Sequence, residues 1–109
     1  MNSEYTRLFP VADLSPGQAK AVEIDGVDLL VCNAKGDFYA VQNMCTHQKA
    51  KLEGGRIRNC FISCPVHGVM FDLKTGVPKG TMTTIPLKTY DLRVVDEHLE
   101  VCVKDNTLA

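Results

Sequence analysis

Two short segments of the chain bring together side chains that bind metals. Cys45-Thr46-His47 is followed, sixteen residues later, by Cys64-Pro65-Val66-His67, so each segment offers one thiol and one imidazole. Four such donors can close a tetrahedral zinc site, or hold an iron–sulfur cluster with both thiolates on one iron and both imidazoles on the other. The spacing favours the cluster. Structural zinc sites mostly pair Cys with Cys about two to four residues apart and His with His about three to five apart. Here each half is mixed, and a single residue separates the first pair. In extended backbone, residues i and i+2 point the same way, so Cys45 and His47 leave their loop side by side. Two mixed loops facing each other can each give a Cys to one iron and a His to the other. Two thiolates also cancel the charge of an oxidised core, whereas four would make the site harder to reduce.

The rest of the chain must position those loops. Its 109 residues suffice for one domain and are too few for two ordinary cores. With 45% hydrophobic and 23% charged residues, it has the composition of a soluble globular protein. The net charge is −1 and the lysines and arginines form no block, which argues against a nucleic-acid partner. No apolar run approaches the roughly 20 residues of a membrane span. The longest are 27–32, interrupted by Asp28, and 61–66. The start, Met1-Asn2-Ser3-Glu4-Tyr5-Thr6-Arg7, lacks a cationic end followed by an apolar stretch. No secretory signal is therefore expected, and the expected location is cytoplasmic. Thiols stay reduced there, so five cysteines, an odd count, point to metal binding over a disulfide framework.

Turn signals recur at short intervals: Ser15-Pro16-Gly17, Asp25-Gly26, Lys35-Gly36-Asp37, Gly54-Gly55, Thr75-Gly76 and Asp96-Glu97-His98. They leave little room for helices. Tyr90, Leu92 and Val94 alternate with Thr89, Asp91 and Arg93. After a turn, Leu99, Val101 and Val103 alternate with Glu100 and Lys104, which predicts a β-hairpin. Further strands are expected over 5–9, 19–24, 27–33 and 38–42, the last two joined through Lys35-Gly36. The expected fold class is all-β, an antiparallel β-sandwich or barrel framework (about 1–42 and 85–109). Set into it is a small, loop-rich, cluster-binding subdomain (about 43–84). That subdomain buries little apolar area and should depend on its metal centre for order.

Cys45-Thr46-His47 and Cys64-Pro65-Val66-His67-Gly68 resemble the two signature loops of the Rieske [2Fe–2S] family. The likeness extends to Asn43-Met44, to Leu52-Glu53-Gly54-Gly55 and to Phe71-Asp72-Leu73-Lys74-Thr75-Gly76, and in pattern it spans essentially the whole chain. It looks like the small soluble ferredoxin component of bacterial aromatic-ring dioxygenase systems. The resemblance implies a single Rieske domain over 1–109 with one [2Fe–2S] cluster. Cys45 and Cys64 would ligate the inner iron, and His47 and His67 the outer iron near the surface. Gln48, Pro65, Gly68, Phe71 and Pro78 would surround these ligands. Pro65 and Gly68 suit close approach of backbone amides to sulfur, and Val77-Pro78-Lys79-Gly80 would form a third, shielding loop. Gln48, Lys49 and Val66 would ring the exposed histidine edge where a partner docks.

Departures from the family narrow the reading. Respiratory and photosynthetic Rieske proteins add one cysteine per loop to form a disulfide; the matching positions here are near Ala50 and at Val66. They also carry Ser and Tyr where this chain has Val69 and Phe71, which donate no side-chain hydrogen bond to sulfur. Such bonds stabilise the reduced form. A potential toward the lower end of the Rieske range of about −150 to +300 mV is therefore expected. Cys32 and Cys102 read as small apolar residues in strands, Cys60 as a core residue sharing a strand face with Ile62, and His98 as a turn residue. The chain has no nucleotide or flavin fingerprint, so it reads as an electron carrier, not an enzyme. It would take single electrons from a flavin-containing NAD(P)H reductase and pass them to a terminal Rieske oxygenase, in transient complexes, during aromatic hydrocarbon catabolism. Two other readings stand beside it: a small Rieske-like subunit of an assimilatory nitrite reductase, and a structural zinc-binding interaction module.

Overall fold

The computed structural model describes residues 5–47 and 49–103. Six strands build an antiparallel framework sheet: β1 (Tyr5–Pro10), β2 (Ala19–Ile24), β3 (Val27–Ala34), β4 (Asp37–Gln42), β9 (Thr89–Val95) and β10 (His98–Cys102), in the order β1-β10-β9-β4-β3-β2. Four shorter strands, β5 (Ile57–Arg58), β6 (Phe61–Ser63), β7 (Met70–Asp72) and β8 (Pro78–Lys79), form a second antiparallel sheet in sequence order. The described helical structure is one 3-10 turn, Val11–Asp13. The all-β expectation therefore holds, and the predicted framework strands match the observed ones to within a residue or two.

Turn chemistry explains that agreement. Three framework hairpins close through residue pairs with positive φ: Asp25-Gly26 (53° and 80°), Lys35-Gly36 (56° and 96°) and Asp96-Glu97 (53° and 63°). Two-residue turns of this kind match the right-handed twist of the strands they join. His98 lies just past the last of these turns. It opens β10 opposite Val95, with Nδ1 2.9 Å from the Asp96 carbonyl, and so corrects its reading as a turn residue.

Strand β3 is the wall between two interiors. Leu29, Val31 and Asn33 point into the framework, where Val31 packs with Phe9, Leu14 and Leu99, and Leu29 with Ala40 and Val101. Leu30, Cys32 and Ala34 point the other way, into a cluster with Leu52, Ile62, Val69, Phe71, Leu73 and Leu87. Burial on both faces accounts for the apolar run Leu29–Cys32 at the centre of this strand. Each fully buried leucine contributes about 1.5–3 kcal/mol, so the second cluster is what fastens the small sheet to the framework. A close approach lies at Gly76, with φ +82°, where any Cβ would strike the Leu87 carbonyl; the Leu87 amide donates to the Gly76 carbonyl at 2.8 Å.

Candidate metal centre

The two loops that carry the predicted ligands are closed alike. The Cys45 amide donates to the Ala50 carbonyl and the Cys64 amide to the Val69 carbonyl, both at 2.8 Å. Each bond runs from the cysteine to the carbonyl five residues on, although the cysteine-to-histidine spacing differs between the loops. Both cysteines are buried in the apolar cluster shared with Leu52, Val69 and Phe71. His47 is half-buried and His67 is exposed. Their rings stand edge to face, 5.4 Å between centroids and 81° between planes. The His47 amide donates to Cys45 Sγ at 3.4 Å, a bond that favours negative charge on the sulfur.

This donor set fits a two-metal cluster. The thiols lie in the interior and the imidazoles toward the surface, the division needed for sulfur on an inner metal and nitrogen on an outer one. His47 Nδ1 is buried with no hydrogen-bond partner among the described residues. A buried nitrogen left without a partner is destabilising by about 1–3 kcal/mol, and metal ligation would supply the missing partner. Among the described residues, no three His, Cys, Asp or Glu side chains gather as ligands of a single metal ion would.

Several residues that hold the first loop carry no metal-binding chemistry. Asn43, fully buried, donates from Nδ2 to Asp28 Oδ1 at 3.2 Å and accepts the Glu53 amide on Oδ1 at 2.9 Å. Its own amide donates to the Asp28 carbonyl at 3.1 Å. One side chain thus ties both ends of the loop to the start of β3. Asp28 also pairs with Lys51, and this hydrogen bond holds the Asp28 carboxyl below its ordinary range and Lys51 above its own. Thr46, between Cys45 and His47, donates from Oγ1 to the Ile85 carbonyl at 2.6 Å and lies 3.1 Å from Thr83 Oγ1. In the sequence, Asn43 had only its place beside the motif to mark it. Nothing there linked Asp28, Thr83 or Ile85 to the loop.

The remaining predicted site residues divide. Gln48 lies outside the described residues. Pro65, Val66 and Lys49 are exposed beside the histidines. Gly68 is exposed at φ +80°, and its amide donates to the Cys64 carbonyl at 2.9 Å, so left-handed backbone is what this turn requires of it. Val69 and Phe71 are buried and offer no side-chain donor. Pro78 and Lys79 form the edge strand β8 opposite Phe71 and Met70, which corrects the expectation of a loop there. Thr83 and Ile85, farther along the chain, contact the first loop through Thr46.

The other cysteines stand apart from this chemistry. Burial pushes the Cys32 thiol up to about 12, keeping it neutral at physiological pH. Cys60 corrects its strand reading: it sits in the turn before β6, packed on the small-sheet cluster, and its carbonyl accepts the Leu73 amide at 2.8 Å. Its thiol hydrogen-bonds to Tyr39, which together with desolvation pushes the phenol's pKa up. Cys102 is half-buried at the end of β10. No disulfide joins any of the five cysteines.

Comparison with known proteins agrees with this geometry. The profile of the Rieske [2Fe–2S] domain matches residues 4–91. The chain is 32% identical to ferredoxin CarAc of Metapseudomonas resinovorans over 102 residues, covering 93% of this chain and 95% of that one. The solved ferredoxin of carbazole 1,9a-dioxygenase from Nocardioides aromaticivorans superposes with a TM-score of 0.88 at 31% identity, covering 94% of this chain and all of that one. A ferredoxin solved in complex with the reduced oxygenase of carbazole 1,9a-dioxygenase gives a TM-score of 0.88 at 29% identity, covering 96% of this chain and 98% of its own.

Proposed function

This chain belongs to the Rieske [2Fe–2S] domain family, and on that premise we propose that it is the ferredoxin component of an aromatic-ring dioxygenase system. It is a one-electron carrier, not a catalyst. Its ligands are Cys45, His47, Cys64 and His67, within a single Rieske domain made of the framework and the small sheet. When bound, the cluster supplies a couple that takes up and releases one electron. The paired histidine rings, with His47 Nδ1 buried and unpartnered, carry this reading.

The chain's own residues make the site suit transfer between proteins. Cys45 and Cys64, as thiolates in an apolar interior, hold the inner side. His67 reaches solvent and gives a short path outward. Val66 is half exposed beside it. Exposed Met82 and Ile85 flank Thr83, which touches Thr46 beside His47. Exposed apolar side chains next in the chain to His67 and close to the first loop suit a small interface that forms and releases quickly. Val69 and Phe71 give no hydrogen bond to sulfur from their side chains, which favours a potential low in the Rieske range. The donor is a flavin-containing NAD(P)H reductase, the acceptor is a terminal oxygenase, and the compartment is the cytoplasm. No described helix is long and apolar enough to cross a membrane.

Visible absorption and low-temperature EPR of the anaerobically purified chain, before and after dithionite, test the reading. The expected result is a red-brown protein with a rhombic reduced signal whose average g lies below that of all-cysteine clusters. It should also support electron flow from reductase to oxygenase. A colourless protein holding one zinc would overturn the reading in favour of a structural module.

A further inference from the structure

Residues 81–86 cross from the small sheet back to the framework without regular structure, and all but Thr83 are exposed. The stretch is followed by buried Leu87, whose amide bonds to Gly76. Among the described residues, the hydrogen bonds that hold its middle to the rest of the molecule come from one side chain, Thr46.

The donors in that contact can be assigned. A hydroxyl has one proton to give. Thr46 Oγ1 gives its proton to the Ile85 carbonyl, 2.6 Å away. The 3.1 Å contact with Thr83 Oγ1 therefore runs from Thr83 to Thr46. Thr83 Oγ1 in turn accepts the Ile85 amide at 3.2 Å. The three bonds close a ring that leaves Ile85 by its amide, passes through both hydroxyls and returns to the Ile85 carbonyl. Each hydroxyl donates and accepts at once, so the bonds polarise one another in the same sense. At position 46 a hydroxyl fills both roles with a single oxygen.

We propose that Thr46 is a positioning residue whose hydroxyl latches residues 83–85 onto the first loop and so governs how readily that loop opens and releases what Cys45 and His47 bind. The proposal rests on the reading of those two residues as cluster ligands.

Two measurements on the full chain with its cluster test it: hydrogen exchange at the Ile85 amide, and bleaching of the visible absorption by an iron chelator. Thr46→Val keeps the shape and removes the hydroxyl. It should speed both by about five-fold or more, five-fold being what one of its two hydrogen bonds is worth net. Thr46→Ser should keep both at the wild-type rate. Unchanged rates in Thr46→Val, or a Thr46→Ser variant as fast as Thr46→Val, would overturn the latch. Should Thr46→Val fail to fold, Thr83→Val removes the bond that Thr83 gives to Thr46, away from the ligands; because it also removes the Ile85 amide's own acceptor, bleaching alone is its readout, expected to speed likewise, and an unchanged bleaching rate would overturn the latch. The exchange arm reads the ring whether or not iron is present. A wild-type chain without the visible absorption would sink the cluster reading and leave the exchange result standing.

Discussion

The two ligand loops share one closing hydrogen bond and differ in almost everything around it. The first is tied at its ends by Asn43 and Asp28 and at its centre by Thr46, and its histidine is half-buried. In the second, Pro65, Val66, His67 and Gly68 are all exposed, and the turn is held by the Gly68 amide on the Cys64 carbonyl. One loop is anchored and the other is presented. For a carrier, this lets a partner touch one histidine while the fold secures the other.

The largest expected effect is where the loops do not differ. Cys45→Ser and Cys64→Ser should each abolish the visible absorption and the iron content. A wild-type spectrum in either would remove that residue from the ligand set. The anchoring difference is tested next. Asn43→Leu leaves the Glu53 amide without its partner inside the protein and should destabilise by about 2 kcal/mol, read as a lower urea midpoint. Its counterpart on the presented loop, Val66→Ala, should stay within about 0.5 kcal/mol of wild type while slowing transfer to the oxygenase. Equal destabilisation by the two would erase the contrast.

The smallest effect is electrostatic. Asp28 is held below its ordinary value by Lys51, so the native state keeps the carboxylate ionised to lower pH than the unfolded chain does. Its contribution is complete above the unfolded value of about 3.9 and is lost as pH falls through the depressed native one. Asp28→Asn should therefore flatten the fall in urea midpoint below about pH 4. A profile of unchanged slope would show that the pair contributes nothing to the anchor.

Legibility in the sequence followed strand length and contact range. β2, β3, β9 and β10 have five to eight residues each, enough for period-two alternation or an unbroken apolar run to show, and turn pairs such as Asp25-Gly26 mark their ends. β5 to β8 have two or three residues each, too few for any period, so 43–84 read as loops. The proposed ligands were legible because their residue types and spacing are themselves the chemistry. Their supports were not: Asn43 meets Asp28 across 15 residues and Thr46 meets Ile85 across 39, and no local pattern encodes such pairings.

The double-sided burial of β3 also leaves it exposed to error. A strand with one wet face is held in register because a one-residue slip would turn its apolar set to water. A slip of β3 would only exchange Leu29 and Val31 for Leu30 and Cys32, one greasy set for another. Asn33 breaks that symmetry. It is buried, yet its Nδ2 donates to the Leu14 carbonyl at 2.8 Å and its Oδ1 accepts the Gly36 amide at 2.7 Å. Shifted by one position, the amide would enter the apolar cluster against the small sheet, away from the Leu14 carbonyl. A single polar side chain thus acts as an index mark for the strand, much as a buried asparagine sets alignment in a coiled coil, and it keeps the correct face of the wall turned toward the metal centre.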